Sequence, residues 1–180
     1  MQELRVIVFI LLLFGQLLFL IRKLIIHPWL APFVVLVVNT LILYIFTLFN
    51  LIQFGVIFVL GLSAACSVFV FLPLKRFPNR PWWSLPILAM IILVAFSWNY
   101  TRGMQFYQWD EFSHWGILFR YLISQNHLPI IDPSGPKSVF YNSPPFTAIF
   151  QFYVAKIIGI SESNAYFAQL IFQFFSMIVI

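Results

Sequence analysis

The chain has 180 residues, of which 62% are hydrophobic and 8% charged. Soluble domains carry roughly a quarter charged residues, and the mean hydropathy here is +0.97, so a cytosolic enzyme, a nucleic-acid binder and a disordered tail are all excluded. The formal net charge of +5 comes from only ten Lys and Arg, placed at the ends of apolar runs as in a polytopic membrane protein. The single cysteine, Cys66, lies inside an apolar run, so neither a disulfide framework nor a cysteine metal site is expected.

A bilayer span takes about 20 apolar residues. The first run covers residues 4–21 and is closed by Arg22 and Lys23. Its start is weakly charged, with Glu3 beside Arg5, and no small-residue cleavage site follows. It therefore reads as a retained span rather than a signal peptide. The second run covers about 30–49, entered through His27, Pro28 and Pro32, where proline suits a first helical turn. The third covers about 51–72, and the short uncharged link at Asn50 makes these two a helical hairpin. Residues 73–81 form a basic, proline-punctuated loop, followed by Trp82 and Trp83 at headgroup level. Ser84 caps a fourth span that runs to about Tyr100. Ser143 and Pro144 restart a helix, read as a fifth span to about Ile160, with Lys156 snorkelling at its cytoplasmic end. Ser161 to Asn164 is a capping turn, and a sixth span starts near Ala165 and is still apolar at Ile180. That unanchored ending leads us to expect the N-terminal part of a longer chain. Asn39, Gln53, Asn99 and Gln169 are single polar residues in spans and are expected to bond between helices.

The fold class is thus all-α: a polytopic membrane protein with about six transmembrane helices and one interfacial amphipathic helix in an external loop. Two segments are expected. Residues 1–82 hold three transmembrane helices and the basic loop, and residues 83–180 hold the remaining spans and the loop 101–142. Short basic loops face the cytoplasm. Lys75, Arg76 and Arg80 then lie inside together with Arg22 and Lys23, and the N-terminus and loop 101–142 lie outside.

That loop carries three of the five acidic residues and two of the three histidines. Asp110 and Glu111 are adjacent at the mouth of a span, between Trp109 and Trp115, and acids kept at membrane depth are functional candidates. In a helix starting near Asp110, His114 falls on the same face as both acids. The opposite face carries Phe112, Trp115, Phe119 and Leu122, so residues 111–124 are expected to lie in the interface with these four side chains toward lipid. The plainer reading of the same residues makes Asp110 a helix cap, Glu111 a first-turn acid and His114 a solvated side chain. A Mg²⁺ or Mn²⁺ site from Asp110, Glu111 and His114 is chemically allowable, although the ligands are few. Residues 132–136 read as a turn, and His127 as the end of the interfacial helix.

A span, an external loop opening with Asp110-Glu111, an interfacial helix and the Tyr141-x-x-Pro144-Pro145 entry to the next helix resemble the multi-spanning C-type glycosyltransferases. That family includes the dolichyl-phosphate-mannose protein mannosyltransferases and the bacterial aminoarabinose transferases. The resemblance covers about residues 85–180 and rests on short motifs. It departs from the family in the three spans that precede the motif's own span. It implies a sugar donor on a polyprenyl phosphate and transfer on the non-cytoplasmic face of a bacterial inner or plasma membrane. It also implies Asp110 as the essential acid with Glu111 beside it. A general base, Asp110, would take the acceptor proton, and positive charge from Arg102, Arg120 or Lys137, or a metal, would stabilise the leaving phosphate. Trp109, Trp115, His114 and Tyr141 would line the substrate. The implied partners are the bilayer and the lipid-linked sugar, with no nucleic acid. Two other readings stand beside this one: a non-catalytic multi-pass accessory subunit, and a lipid-linked glycan transporter. A transporter would place charges or broken helices near mid-membrane, whereas the acids here sit in a loop.

Overall fold

The computed structural model describes residues 2–72, 85–106, 115–129 and 145–177. Among these residues every regular element is helical and there is no strand. The seven helices are α1 (Gln2–Lys23), α2 (Ala31–Leu48), α3 (Ile52–Phe71), α4 (Leu85–Thr101), α5 (Trp115–Gln125), α6 (Phe146–Ile158) and α7 (Glu162–Met177). Helices α1, α2 and α3 are long and apolar enough to cross a membrane, while α4 and α6 are apolar but shorter.

The first three helices form an antiparallel set. Glu3 stands in the first turn of α1 and Arg22 and Lys23 in its last, the arrangement the helix dipole favours. Those two cations also reach the end of α3. Arg22 Nη1 donates to the Val70 carbonyl at 3.4 Å and Lys23 Nζ to that of Leu72 at 2.7 Å. Carbonyls left over at a helix end thereby gain donors, and α1 and α3 are fixed parallel. They approach closely at Gly15, where an added Cβ would lie 1.8 Å from Ser67 Oγ and 3.0 Å from Ser67 Cα. Small residues permit this kind of contact between membrane helices. The α2–α3 turn closes as a Schellman motif: Leu51 N donates to Phe46 O at 2.8 Å and Asn50 N to Thr47 O at 3.0 Å. Asn50 takes φ +59°, a left-handed conformation that asparagine tolerates better than most residues. The expected hairpin is therefore present.

Polar side chains inside the bundle pair across helices. Gln16 of α1 and Asn39 of α2 exchange two amide hydrogen bonds, at 3.0 and 2.8 Å, and Gln151 of α6 donates to Gln169 of α7 at 3.4 Å. Asn39 and Gln169 thus bond between helices as expected. Asn99 instead donates to the Ala95 carbonyl of its own helix at 2.9 Å.

Helix α6 corrects the sequence reading. It has 13 residues, roughly 20 Å at 1.5 Å per residue, against about 30 Å of hydrocarbon to cross. Every residue from Ala148 to Ala155 is buried. A helix buried over this length must be surrounded, and here the neighbours are protein. Phe146 stacks on Tyr44 of α2 with ring centroids at 5.1 Å, and Tyr153 meets Phe9 of α1 at 6.1 Å. Gly159 ends the helix, at φ +126°, and its carbonyl accepts Asn164 Nδ2 at 2.7 Å. Asn164 Oδ1 in turn accepts from Gln2 at 3.3 Å, and Ser163 Oγ donates to the Thr101 carbonyl at 2.7 Å. The α6–α7 turn therefore lies at the same end of the bundle as Gln2 and Thr101, not at the far end as a fifth full span requires. Lys156, three residues before Gly159, lies at the Gln2 end as well.

Helix α5 corrects a second expectation. It forms within the expected interfacial segment, but its apolar face is covered by protein rather than lipid. Leu118, Phe119 and Leu122 are buried, and Phe119 packs in one cluster with Phe106, Ala155 of α6 and Ala165 of α7. Helical periodicity identifies an apolar face but is the same whether lipid or a neighbouring helix covers it. Arg120, Ser124 and Gln125 make the exposed side.

Candidate functional site

The polar side chains at the Gln2 end form a cluster built on α1, α4, α5 and α7. Gly103 turns the chain off α4 at φ +76°, a conformation that costs glycine little, and its N–H donates to Ser163 Oγ at 3.2 Å. Ser161 caps α7 by accepting the Asn164 N–H at 3.1 Å. This places Glu162 in the first helical turn, where an acid is favoured. The Glu162 carboxylate then has two tasks. Its Oε2 accepts the Phe106 backbone N–H at 2.7 Å, and its Oε1 pairs with Arg120 of α5. The Arg120 guanidinium also lies 5.4 Å from the Phe106 ring centroid, within cation–π reach.

A second ion pair joins Arg102, just past α4, to Glu3 of α1. The Arg102 guanidinium sits 5.5 Å from the Trp98 ring centroid. A cavity of about 240 Å³ opens beside this pair, lined by Gln2, Glu3, Trp98, Arg102, Ser163 and Asn164 among others. The Arg102 and Glu3 side chains are 54% and 63% exposed, so this pair contributes at most about 1 kcal/mol. It orients groups more than it stabilises the fold. The lining offers amide, hydroxyl, carboxylate and guanidinium groups beside the Trp98 indole.

The sequence-predicted site residues divide as follows. Arg102 and Arg120 are both at the Gln2 end and both engage carboxylates. Trp115 opens α5. Trp109, Asp110, Glu111, His114 and Tyr141 lie outside the described residues, as do Phe112 and the turn at 132–136. Among the described residues no three His, Cys, Asp or Glu side chains come together as a metal site. The acids that sequence reasoning passed over are Glu3 and Glu162. Position in the first turn of a helix was the available signal, but their partners stand 99 and 42 residues away in the chain.

Comparison with known proteins yields no match: no family model, curated protein or solved structure is detectably similar to the chain.

Proposed function

We propose that the chain is a multi-pass protein of the cell membrane and acts as a membrane glycosyltransferase. In this reading it takes a sugar from a polyprenyl-phosphate donor on the non-cytoplasmic face. Helices α1 to α4 and α7 make the crossings and α6 is a short helix buried among them. This count differs from six and keeps Thr101, the α6–α7 turn and Gln2 together outside. Arg22, Lys23 and the basic residues 75, 76 and 80 are then inside, as loop charge demands. The reading is supported above all by the polar cluster at the Gln2 end. It fastens Phe106 to α7 and α5 to α7, and these are the two flanks of the segment that carries Asp110, Glu111 and His114. An acid tethered at a membrane mouth is suited to act as general base toward an acceptor hydroxyl. Arg102 and Arg120, which flank that segment in the chain, would be the cations for a leaving phosphate. Trp109, Trp115 and Tyr141 would meet sugar or prenyl chain, and Mg²⁺ or Mn²⁺ held by Asp110, Glu111 and His114 would share the charge stabilisation.

One observation favours a non-catalytic membrane subunit instead: Arg102 and Arg120 each engage a carboxylate, Glu3 and Glu162. Two measurements separate the readings. With Cys66 replaced by Ser, single cysteines at Ser134 and Asn79 report sidedness to an impermeant maleimide on intact cells. Position 134 is expected to label and position 79 to stay dark. A photoactivatable polyprenyl-phosphate analogue is then irradiated with the membranes. The proposal expects crosslinking to this chain that excess polyprenyl phosphate competes away. Labelling confined to position 79, or no competable crosslink, overturns it.

A further inference from the structure

Lys156 is charged, half-buried and unused by the fold or by the site described above. It stands in the last turn of α6, roughly 4.5 Å along the helix axis from Gly159 at 1.5 Å per residue. The α6–α7 turn fixes that point at the Gln2 end, through Asn164 and the Gly159 carbonyl. Ala155 and Ile158 beside it are buried. Its ammonium lies 5.1 Å from the centroid of the buried Phe152 ring, within cation–π reach. The other cations at this end are met differently. Arg102 is paired with Glu3 and Arg120 with Glu162, and Arg5 is exposed. Among the described residues no carboxylate and no hydrogen-bond acceptor meets the Lys156 ammonium.

An ammonium carries three donors and no acceptor, and one ring face cannot satisfy them. The negative end of α6 favours a cation in its last turn, but the Ala155 and Gly159 carbonyls already accept from Gly159 N and Asn164 Nδ2. A charge kept in an apolar membrane helix is costly and is a functional candidate. Where α1 crosses the bilayer, its Gln2 end stands at headgroup level, and the anion at that level is lipid phosphate. We propose that Lys156 binds the phosphate of a lipid. Its aliphatic stem lies along the apolar bundle, the Phe152 ring holds the ammonium in place, and phosphate oxygens accept its donors as charge-assisted hydrogen bonds. Two kinds of lipid carry this group, a polyprenyl phosphate and an anionic glycerophospholipid. The site is a lipid-phosphate site in either case and does not depend on the transferase reading. With a polyprenyl phosphate it adds to that reading a cation that no described carboxylate offsets.

The test uses the full chain in an uncharged maltoside detergent. An amine-reactive acylating reagent is applied, and peptide mass spectrometry reads the rates at Lys156 and at Lys23, which stands at the opposite end of the bundle. Polyprenyl phosphate, phosphatidylglycerol, phosphate-free polyprenol and inorganic phosphate are added in turn. At least one of the two lipid phosphates is expected to slow acylation of Lys156 by about tenfold, with Lys23 changed far less. Polyprenol and inorganic phosphate are expected to leave both rates as they were. Native mass spectrometry then reads binding of the protecting lipid. Lys156→Arg is expected to retain it, and Lys156→Gln to weaken it by about ten- to a hundredfold, the range of hydrogen bonds to a charged group. Thermal unfolding checks that both variants fold; should Lys156→Gln not fold, the wild-type acylation decides alone. Protection by polyprenyl phosphate joins the site to the transferase reading. Protection by phosphatidylglycerol alone supports the lipid-phosphate site and counts against a part for Lys156 in transfer. Four results overturn the proposal: no protection by either lipid phosphate, equal slowing at Lys23, equal protection by polyprenol or inorganic phosphate, or undiminished binding in folded Lys156→Gln.

Discussion

The reciprocal amide pair between α1 and α2 gives the sharpest test of how the bundle holds together. Gln16 is 5% exposed and Asn39 1%, and the two bonds measure 3.0 and 2.8 Å. Each interhelical bond in a membrane protein contributes about 0.6 kcal/mol, with a maximum near 1.7, so the pair contributes roughly 1–3 kcal/mol. Replacing Asn39 by Leu removes both bonds and strands the Gln16 amide, which adds about 1–3 kcal/mol of uncompensated burial. The single substitution is therefore expected to cost about 2–4 kcal/mol, and Gln16→Met a similar amount. The double variant strands nothing and should fall within about 1–2 kcal/mol of the wild type, because apolar replacement of both partners is nearly neutral. The assay is a double-mutant cycle on SDS-induced unfolding in mixed micelles. A double variant whose loss equals the sum of the singles would show that Gln16 and Asn39 do not pair, and the α1–α2 register built on them would be wrong.

Gly15→Ala is expected to destabilise the bundle by about 1–3 kcal/mol, since overpacked sites cost that much and the new Cβ meets Ser67 Oγ and backbone alike. Ser67→Gly in the same chain should recover part of the loss, and thermal unfolding in detergent reads both. Asn50→Val is expected to cost about 1–2 kcal/mol in the same assay, because a β-branched residue resists φ +59°. Asn50→Gly should be nearly silent.

The first four helices were legible because each apolar run is bounded by charge, proline or a short polar link. The basic pair at Arg22 and Lys23, the link at Asn50 and the end near Thr101 fall within a few residues of the observed helix bounds. Helix α6 was misread for a physical reason. Residues 146–158 are predominantly apolar, with only Thr147, Gln151 and Lys156 polar, and a mostly apolar helix looks alike whether lipid or protein surrounds it. Its length separates the two cases: 13 residues are too few to cross. The same ambiguity hid the partner of the α5 face, where Phe119 and Leu122 meet protein. At the Gln2 end, Arg102 and Arg120 were legible as cations near the acidic loop. Their pairing with Glu3 and Glu162 was not, because long-range ion pairs leave no local pattern in a chain. Glu162 could be placed in a capping turn from Ser161 alone, but its hold on the Phe106 N–H depends on how α4 and α7 pack.

The proposed transfer chemistry stands on Asp110, and one substitution addresses it directly. Transfer from a polyprenyl-phosphate sugar donor to endogenous acceptor is measured in membranes carrying the wild type or Asp110→Asn, with insertion and amount of protein matched. Asn keeps the size and one acceptor oxygen but cannot take a proton as a base. A general base contributes about 10² to 10⁴ in rate, so transfer is expected to fall by that factor. Asn caps a helix about as well as Asp, so a capping role leaves the rate unchanged. Transfer by the wild type that survives undiminished in Asp110→Asn would contradict the account and return Asp110 to the role of a helix cap.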